Sequence, residues 1–229
     1  EWKAGLRATR PNEATMEESE PVSVHEFAAL LLSPCNGAIE QRSAPTEDAT
    51  EPLTSYWIAS SHNSFLEGDQ LTSAASADMY RRLLLSGTRC LEIDCWDGWW
   101  GPRVTHRMPG GVRLFCGSVA FGDVVAAIAE HAFTSSPLPV ILSLEMHCST
   151  KQQEKIANEL NDRLGDLLSR SNRVASTPLR ELHRKVLIKM RLDKGGVTTD
   201  PLLRTLVTLP TTSFCRPLPI SEAEESECT

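Results

Sequence analysis

Apolar positions along this chain come in short blocks that switch between a helical and a strand period. Ser23 and Glu26 form an S-x-x-E capping box, and Phe27, Leu30 and Leu31 follow at helical spacing until Pro34. Residues 35–52 are polar and read as a linker. Residues 56–60 then predict a short strand. Residues 73–85 predict a helix, with Ala77, Tyr80 and Leu84 on one face and Gly87 just past its end. A strand is expected over 89–95. A stretch carrying Gly98, Gly101, Gly110, Gly111 and Gly117 reads as loop, with one short strand at 103–106. Further on, 122–131 predict a helix and 139–145 a buried strand. Thr150 and Gln153 form a second capping box, T-x-x-Q, ahead of a stripe made by Ile156, Leu160, Leu164 and Leu167. A last strand is expected over 185–191. Strands alternating with helices predict parallel βαβ units, as in a barrel or an open α/β sheet.

Composition narrows the choice. With 229 residues and 41% hydrophobic residues, the chain can bury a substantial core. The longest apolar runs reach only six or seven residues, as at 27–32, whereas a spanning helix needs about 20. Lysine and arginine number 23 against 30 acidic residues, a net charge of −7. That balance argues against sequence-independent binding of nucleic acid. Glu222, Glu224, Glu225 and Glu227 read as a solvated tail. The seven cysteines form no C-x-x-C pair, which disfavours a zinc knuckle. Cys90, Cys95, Cys116 and Cys148 read as small core residues in a reducing compartment.

The polar residues at the strand ends carry the chemistry. Active sites of (β/α) barrels form at the C-terminal ends of the strands. Here those ends offer His62 and Asn63, then Glu92 and Asp94, then His106, Glu145, Lys189 and Arg191. Glu92 and Asp94 are two apart, so they share one strand face, while Leu91, Ile93 and Cys95 take the other, toward the helices. Paired carboxylates repel unless a cation or a cationic side chain such as Arg89 answers them. Glu145 adds a third carboxylate and Asn63 a neutral amide oxygen. An all-oxygen set of this kind suits Ca²⁺ or Mg²⁺ rather than zinc. His62 and His106 are the acid–base candidates, and Lys189 and Arg191 put two cations on one face, suited to a phosphate. Together these types point to chemistry on a phosphate ester.

The segments around these residues resemble phosphoinositide-specific phospholipase C. They are S-S-H-N-S-F-L at 60–66, G-D-Q-L at 68–71, R-C-L-E-I-D-C-W-D-G at 89–98, S-P-L-P-V-I-L-S-L-E-M-H-C at 136–148 and L-I-K at 187–189. The resemblance is to the family's X region, the first half of its catalytic barrel, and runs over about residues 52–192. It implies the first half of a TIM-type (β/α) barrel, of the α/β class, that hydrolyses phosphatidylinositol lipids, with phosphatidylinositol 4,5-bisphosphate the usual preferred substrate. It further implies Ca²⁺ held by Asn63, Glu92, Asp94 and Glu145, His62 acting at the transition state, His106 as general acid, and Lys189 and Arg191 on substrate phosphate. The chain departs from the family pattern over 107–119, at Met146 beside Glu145, and at Met190.

The resemblance also orders the rest of the chain. Residues 1–51 are expected to be the remnant of an EF-hand-like lobe with a linker, and 193–200 a very short X–Y linker. Residues 201–229 are expected to be a truncated start of the Y region, in which 202–209 add one strand before Pro210, Pro217 and Pro219 limit further pairing, followed by the acidic tail. The remaining barrel half is expected downstream. The expected setting is cytoplasmic, peripherally bound to a membrane surface, with a lipid substrate and no nucleic-acid partner. Two other readings stand beside this one: a glycerophosphodiester phosphodiesterase of similar build, and a non-catalytic binding module lacking its second barrel half.

Overall fold

The computed structural model describes residues 23–31, 49–107, 115–193 and 196–211. Linker residues 35–48, the acidic tail, Pro217 and Pro219 lie outside them. The chain divides into two compact units, Glu1–Asp48 and Ala49–Thr229. In the first, helix α1 (Val24–Leu31) starts at the expected capping box. The Ser23 backbone N–H and hydroxyl both donate to Glu26 Oε2 at 2.9 Å, and the Glu26 N–H returns to Ser23 Oγ at 3.2 Å.

The second unit is half of a (β/α) barrel. Its strands are β1 (Ser60–Ser61), β2 (Cys90–Trp96), β3 (Arg103–Val104), β4 (Val119–Ala120), β5 (Val140–His147), β6 (Val186–Arg191) and β7 (Val207–Thr211). Its helices are α2 (Asp78–Leu85), α3 (Phe121–His131), α4 (Thr150–Leu164) and α5 (Pro201–Leu206). The order across the sheet is β4-β3-β2-β5-β6-β7, with β1 beside the start of β2. The pairs β1–β2, β2–β5, β5–β6 and β6–β7 are parallel, while β3 and β4 return antiparallel.

Strand alternation divides the core in two. Leu91, Ile93, Cys95, Leu142, Leu144, Ile188 and Met190 point to the helices. They meet Tyr80, Leu84, Val125, Ile128, Ile156, Leu160 and Leu206 there, nearly all of them fully buried. Burying each such side chain stabilises the fold by roughly 1.5–3 kcal/mol. The intervening residues Cys90, Ile141 and Leu187 point the other way, into a second cluster closed by Leu53, Val174, Leu179 and Leu182. This cluster is the apolar floor beneath the polar residues farther along the same strands.

Arg89, at the entrance to β2, is buried by two helix ends. It donates through Nη1 to the Ala132 carbonyl and through Nη2 to the Leu84 carbonyl, both at 2.7 Å. Those carbonyls belong to the C-terminal turns of α3 and α2, where a cation satisfies groups with no helical partner. Arg89 therefore ties helices together instead of neutralising Glu92 or Asp94.

Several expected boundaries moved, each for a tertiary reason. Strand β1 covers Ser60–Ser61 rather than 56–60, because Leu53–Ser55 turn as a 3-10 helix and Tyr56 and Ile58 pack on the inner cluster. Helix α2 starts at Asp78 rather than at residue 73. Residues before it pair back on the chain: Ser76 N–H donates to Phe65 O at 2.9 Å and Glu67 N–H to Ala74 O at 3.0 Å. The Thr150–Gln153 capping box does not form, since Ser149 is the N-cap and makes no side-chain cap bond. Buried Gln153 instead donates to Cys148 O and accepts from the Asp200 N–H, both at 2.9 Å. Residues 202–209 divide between α5 and β7. Asp200 caps α5 by accepting from the Leu203 N–H at 2.9 Å, and Pro201 sits in the first turn, where no helical N–H partner is needed. Pro210 lies within β7, the last strand in the sheet order among the described residues.

Candidate active site

The register of the sheet assembles the site in layers. Above the floor of Cys90, Ile141 and Leu187 comes a row of Glu92, Ser143 and Lys189. Asp94 and Glu145 are partners one step further, and Trp96 and His147 one step beyond them. Each row follows from the two-residue period of paired strands, so residues distant in sequence share one face. Carboxylate oxygens of Glu92, Asp94 and Glu145 lie within 4.8 Å of one another.

Each carboxylate meets a different local device. The Asn63 backbone N–H donates to Glu92 Oε2 at 2.7 Å, and His62 Nε2 lies 3.7 Å from the same oxygen. The backbone of Glu92 is held from both sides: its N–H donates to Ser64 Oγ at 3.0 Å, and its carbonyl accepts from the fully buried Tyr80 hydroxyl at 2.8 Å. Asp94 is buried, with Oδ2 3.5 Å from His106 Nδ1. Glu145 Oε1 lies 3.1 Å from His147 Nε2. The His147 ring in turn stacks on Trp96, with centroids 3.9 Å apart and planes 5° apart, and Arg107 Cζ sits 4.4 Å over the Trp96 ring.

Buried neighbours register the negative field of the cluster. The Cys95 thiol is pushed well up, first by burial, with the neighbouring Cys148 thiol and the Asp94 and Glu145 carboxylates adding to it. Burial likewise raises the Tyr80 phenol, with Cys95, Asp94 and Glu92 adding to it. Both groups stay neutral at physiological pH, and Tyr80 serves only as a donor to the Glu92 carbonyl.

The β2–β3 loop beside the cluster is anchored to α4. Asp97 Oδ1 accepts from the Ser149 N–H at 3.0 Å and its hydroxyl at 3.1 Å, and Gln152 Nε2 donates to Gly98 O at 2.7 Å. A side chain at Gly98 would run into the Gly101 carbonyl oxygen and Arg103 Cγ, so only glycine fits there.

Lys189 and Arg191 reach the same place. With Glu92, Ser143, Glu145 and Thr211 they line a cavity of about 340 Å³. A larger cavity of about 840 Å³ lies between the β2–β3 loop and α4 and contains none of the sequence-predicted residues. All eight of those residues stand on the strands β2, β5 and β6 or in the loops that follow β1 and β3.

The donor set fits a hard divalent cation. Three carboxylates converge on one point, where their mutual repulsion favours a cation, and the buried Asn63 side chain would add its Oδ1, the amide atom that can ligate one. All candidate ligand atoms of this set are oxygens, the preference of Ca²⁺ and Mg²⁺. Sequence reasoning did not pick out Ser64, Tyr80, Trp96, Arg107 or His147. Two of these were within reach: continuing the period of two from Glu92 and Asp94 arrives at Trp96, and from Glu145 at His147.

Comparison with known proteins follows the same residues. Residues 49–192 match the family described as phosphatidylinositol-specific phospholipase C, X domain. The chain is 41% identical over 195 residues to the Rattus norvegicus 1-phosphatidylinositol 4,5-bisphosphate phosphodiesterase gamma-2, covering 82% of this chain and 15% of that protein. It is 49% identical over 126 residues to the Homo sapiens 1-phosphatidylinositol 4,5-bisphosphate phosphodiesterase eta-1, covering 55% of this chain and 7% of that protein. Among solved structures it is similar to S. officinalis PLC21, with a TM-score of 0.62 and 31% identity over 88% of this chain and 29% of that one. The chain thus spans less than a third of the length of each of these relatives. No helix among the described residues is long and apolar enough to cross a membrane.

Proposed function

This chain belongs to the phosphatidylinositol-specific phospholipase C X-domain family, and from that membership we propose that it carries the ion-binding and acid–base half of a phosphodiesterase barrel. The reaction is Ca²⁺-dependent hydrolysis of phosphatidylinositol 4,5-bisphosphate, or a related phosphoinositide, to diacylglycerol and a soluble inositol phosphate in lipid signalling. The observation that carries this reading is the convergence of three carboxylates, two imidazoles and two cations at one end of the sheet.

Asn63, Glu92, Asp94 and Glu145 would hold the ion. Bound there, Ca²⁺ supplies a hard Lewis acid that lowers the pKa of the inositol 2-hydroxyl and offsets charge on the phosphoryl oxygen. The chain's own residues do the rest. Glu92 or Glu145 accepts the proton of the attacking 2-hydroxyl. His62 donates a hydrogen bond to the phosphoryl oxygens as negative charge grows on them. His106, with Asp94 facing its Nδ1, protonates the diacylglycerol oxygen as the P–O bond breaks, and then acts as base when water opens the cyclic phosphate. Lys189 and Arg191 take up phosphate on the inositol ring; a Lys at one place and an Arg fork at the other hold the same anion in different ways.

The setting is a membrane surface approached peripherally from the cytoplasm. Trp99 and Trp100, just past the C-terminal end of β2, are 93% and 91% exposed. Tryptophan favours the interface between lipid and water, which fits an enzyme whose substrate stays in the bilayer.

The test offers the intact protein vesicles containing phosphatidylinositol, its 4,5-bisphosphate, or a soluble glycerophosphodiester. Preferential release of inositol phosphate from the bisphosphate supports the reading. Turnover of the glycerophosphodiester alone assigns the site to another phosphodiesterase, and no turnover of any of them assigns it to binding.

A further inference from the structure

The geometry points to His147, clamped against Trp96, as the residue that orients the Glu145 carboxylate for its cation. This inference rests on the reading of the carboxylate cluster as a Ca²⁺ site.

Three observations lead to it. First, the three carboxylates are not equally confined: side-chain exposure is 6% for Asp94, 18% for Glu92 and 44% for Glu145. Burial limits the rotamers of Asp94, and the Asn63 N–H pins Glu92. Glu145 has an arm as long as that of Glu92 and is the most exposed of the set, and a cation site gains affinity when such a ligand is fixed beforehand. Second, His147 Nε2 sits 3.1 Å from Glu145 Oε1. An ionised carboxylate only accepts hydrogen bonds, so Nε2 carries the proton and donates it. Third, the donor is itself fixed. Trp96 and His147 are register partners across β2 and β5, one step beyond the partners Asp94 and Glu145. Their rings lie nearly parallel at 3.9 Å.

The stack extends to the acid–base side of the site. Arg107 Cζ lies 4.4 Å over the Trp96 ring. The negative π face of the indole attracts the guanidinium. Arg107 follows His106 directly in the chain. The Trp96 indole thus touches both the imidazole that meets Glu145 and the residue beside His106. His147 acts through Glu145 and is a positioning residue.

The test measures Ca²⁺ affinity by calorimetry, and thermal midpoint without added Ca²⁺, in the intact protein and three variants. His147→Phe keeps a ring on Trp96 but has no donor. His147→Gln has a donor but no ring. Glu145→Gln is the control for the ion site. Removing an outer partner of a metal ligand commonly weakens binding about 10–100-fold. We expect a loss of that order in His147→Phe with little change in midpoint, and partial recovery of affinity in His147→Gln despite a lower midpoint. Wild-type affinity in His147→Phe overturns the positioning role while leaving the ion site intact. Equal loss of affinity in both His147 variants, tracking their midpoints, assigns His147 to packing alone and also overturns it. Unchanged affinity in Glu145→Gln overturns the Ca²⁺ reading itself, and the role of His147 with it.

Discussion

The backbone N–H of Asn63 meets Glu92 Oε2 at 2.7 Å because Asn63 adopts a left-handed φ of 46°. That conformation turns the chain sharply at the end of β1 and aims its amide at a neighbouring strand. Asparagine tolerates it better than most residues, and alanine pays about 1–2 kcal/mol for it. Asn63→Gly is therefore expected to keep the wild-type thermal midpoint and the backbone contact to Glu92, yet to bind Ca²⁺ more weakly for want of the side-chain amide. Asn63→Ala should lose the same affinity and also stability, by about 1 kcal/mol. Ca²⁺ titration alongside denaturant melts separates the two effects. Unchanged affinity in Asn63→Gly would remove Asn63 from the ligand set.

His106 faces Asp94 at 3.5 Å, an arrangement that suits a group handing on a proton. His106→Ala is expected to slow hydrolysis of a substrate with an alkoxide leaving group by about 100-fold or more, the usual worth of general acid catalysis. A phenolate leaves without help, so a phenyl phosphodiester should suffer far less. Turnover numbers for the two substrates decide the point. Equal losses on both would assign His106 to binding.

Much of this arrangement was legible in the sequence, and the reason is periodicity. Glu92 and Asp94 alternate with Leu91, Ile93 and Cys95, and the structure sends the first pair to the cavity side and the second set to the helices. The same rule exposed the βαβ alternation and the strand of Glu145. What stayed hidden depends on contacts between distant segments. The shortening of β1 follows from the packing of Tyr56 and Ile58 on residues far along the chain. The late start of α2 follows from the Phe65–Ser76 pairing. Arg89 looked like a partner for the carboxylates because only two residues separate it from Glu92, but its side chain leaves for the helix ends. The stack of His147, Trp96 and Arg107 needs the β2–β5 register and the course of the loop after β3, and neither is encoded in any one segment.

Trp99 and Trp100 provide a test of the membrane setting. Replacing both with alanine is expected to weaken binding to phosphoinositide vesicles about tenfold or more, since each indole buries a large apolar body at the interface. Hydrolysis of a soluble, short-chain substrate should change little. Vesicle sedimentation and the soluble assay together check this. Undiminished vesicle binding would place the contact surface elsewhere.

Asp193 is expected to contribute to the acid sensitivity of the fold. Arg204 Nη2 reaches both of its carboxylate oxygens at 2.6 Å, and the Thr199 N–H adds a bond at 2.9 Å. The Arg204 contact, first, and the Thr199 N–H hold its carboxyl below the ordinary value of 3.8. A depressed carboxyl stabilises the folded state above the ordinary value and loses that contribution as pH falls through the folded one. The gap in thermal midpoint between wild type and Asp193→Asn should therefore be widest near neutrality and close below about pH 4. A gap that stays constant into acid would show that the ion pair adds nothing.

The Ca²⁺ dependence of phosphatidylinositol 4,5-bisphosphate hydrolysis by the intact protein, wild type against Glu145→Gln, is the decisive measurement. A chelator should abolish wild-type turnover and added Ca²⁺ restore it. Glu145→Gln, with one charge fewer among three carboxylates that meet within 4.8 Å, should need at least tenfold more Ca²⁺ for half its maximal rate. Turnover that survives the chelator, or an identical Ca²⁺ requirement in the two proteins, would contradict the Ca²⁺ reading of the site.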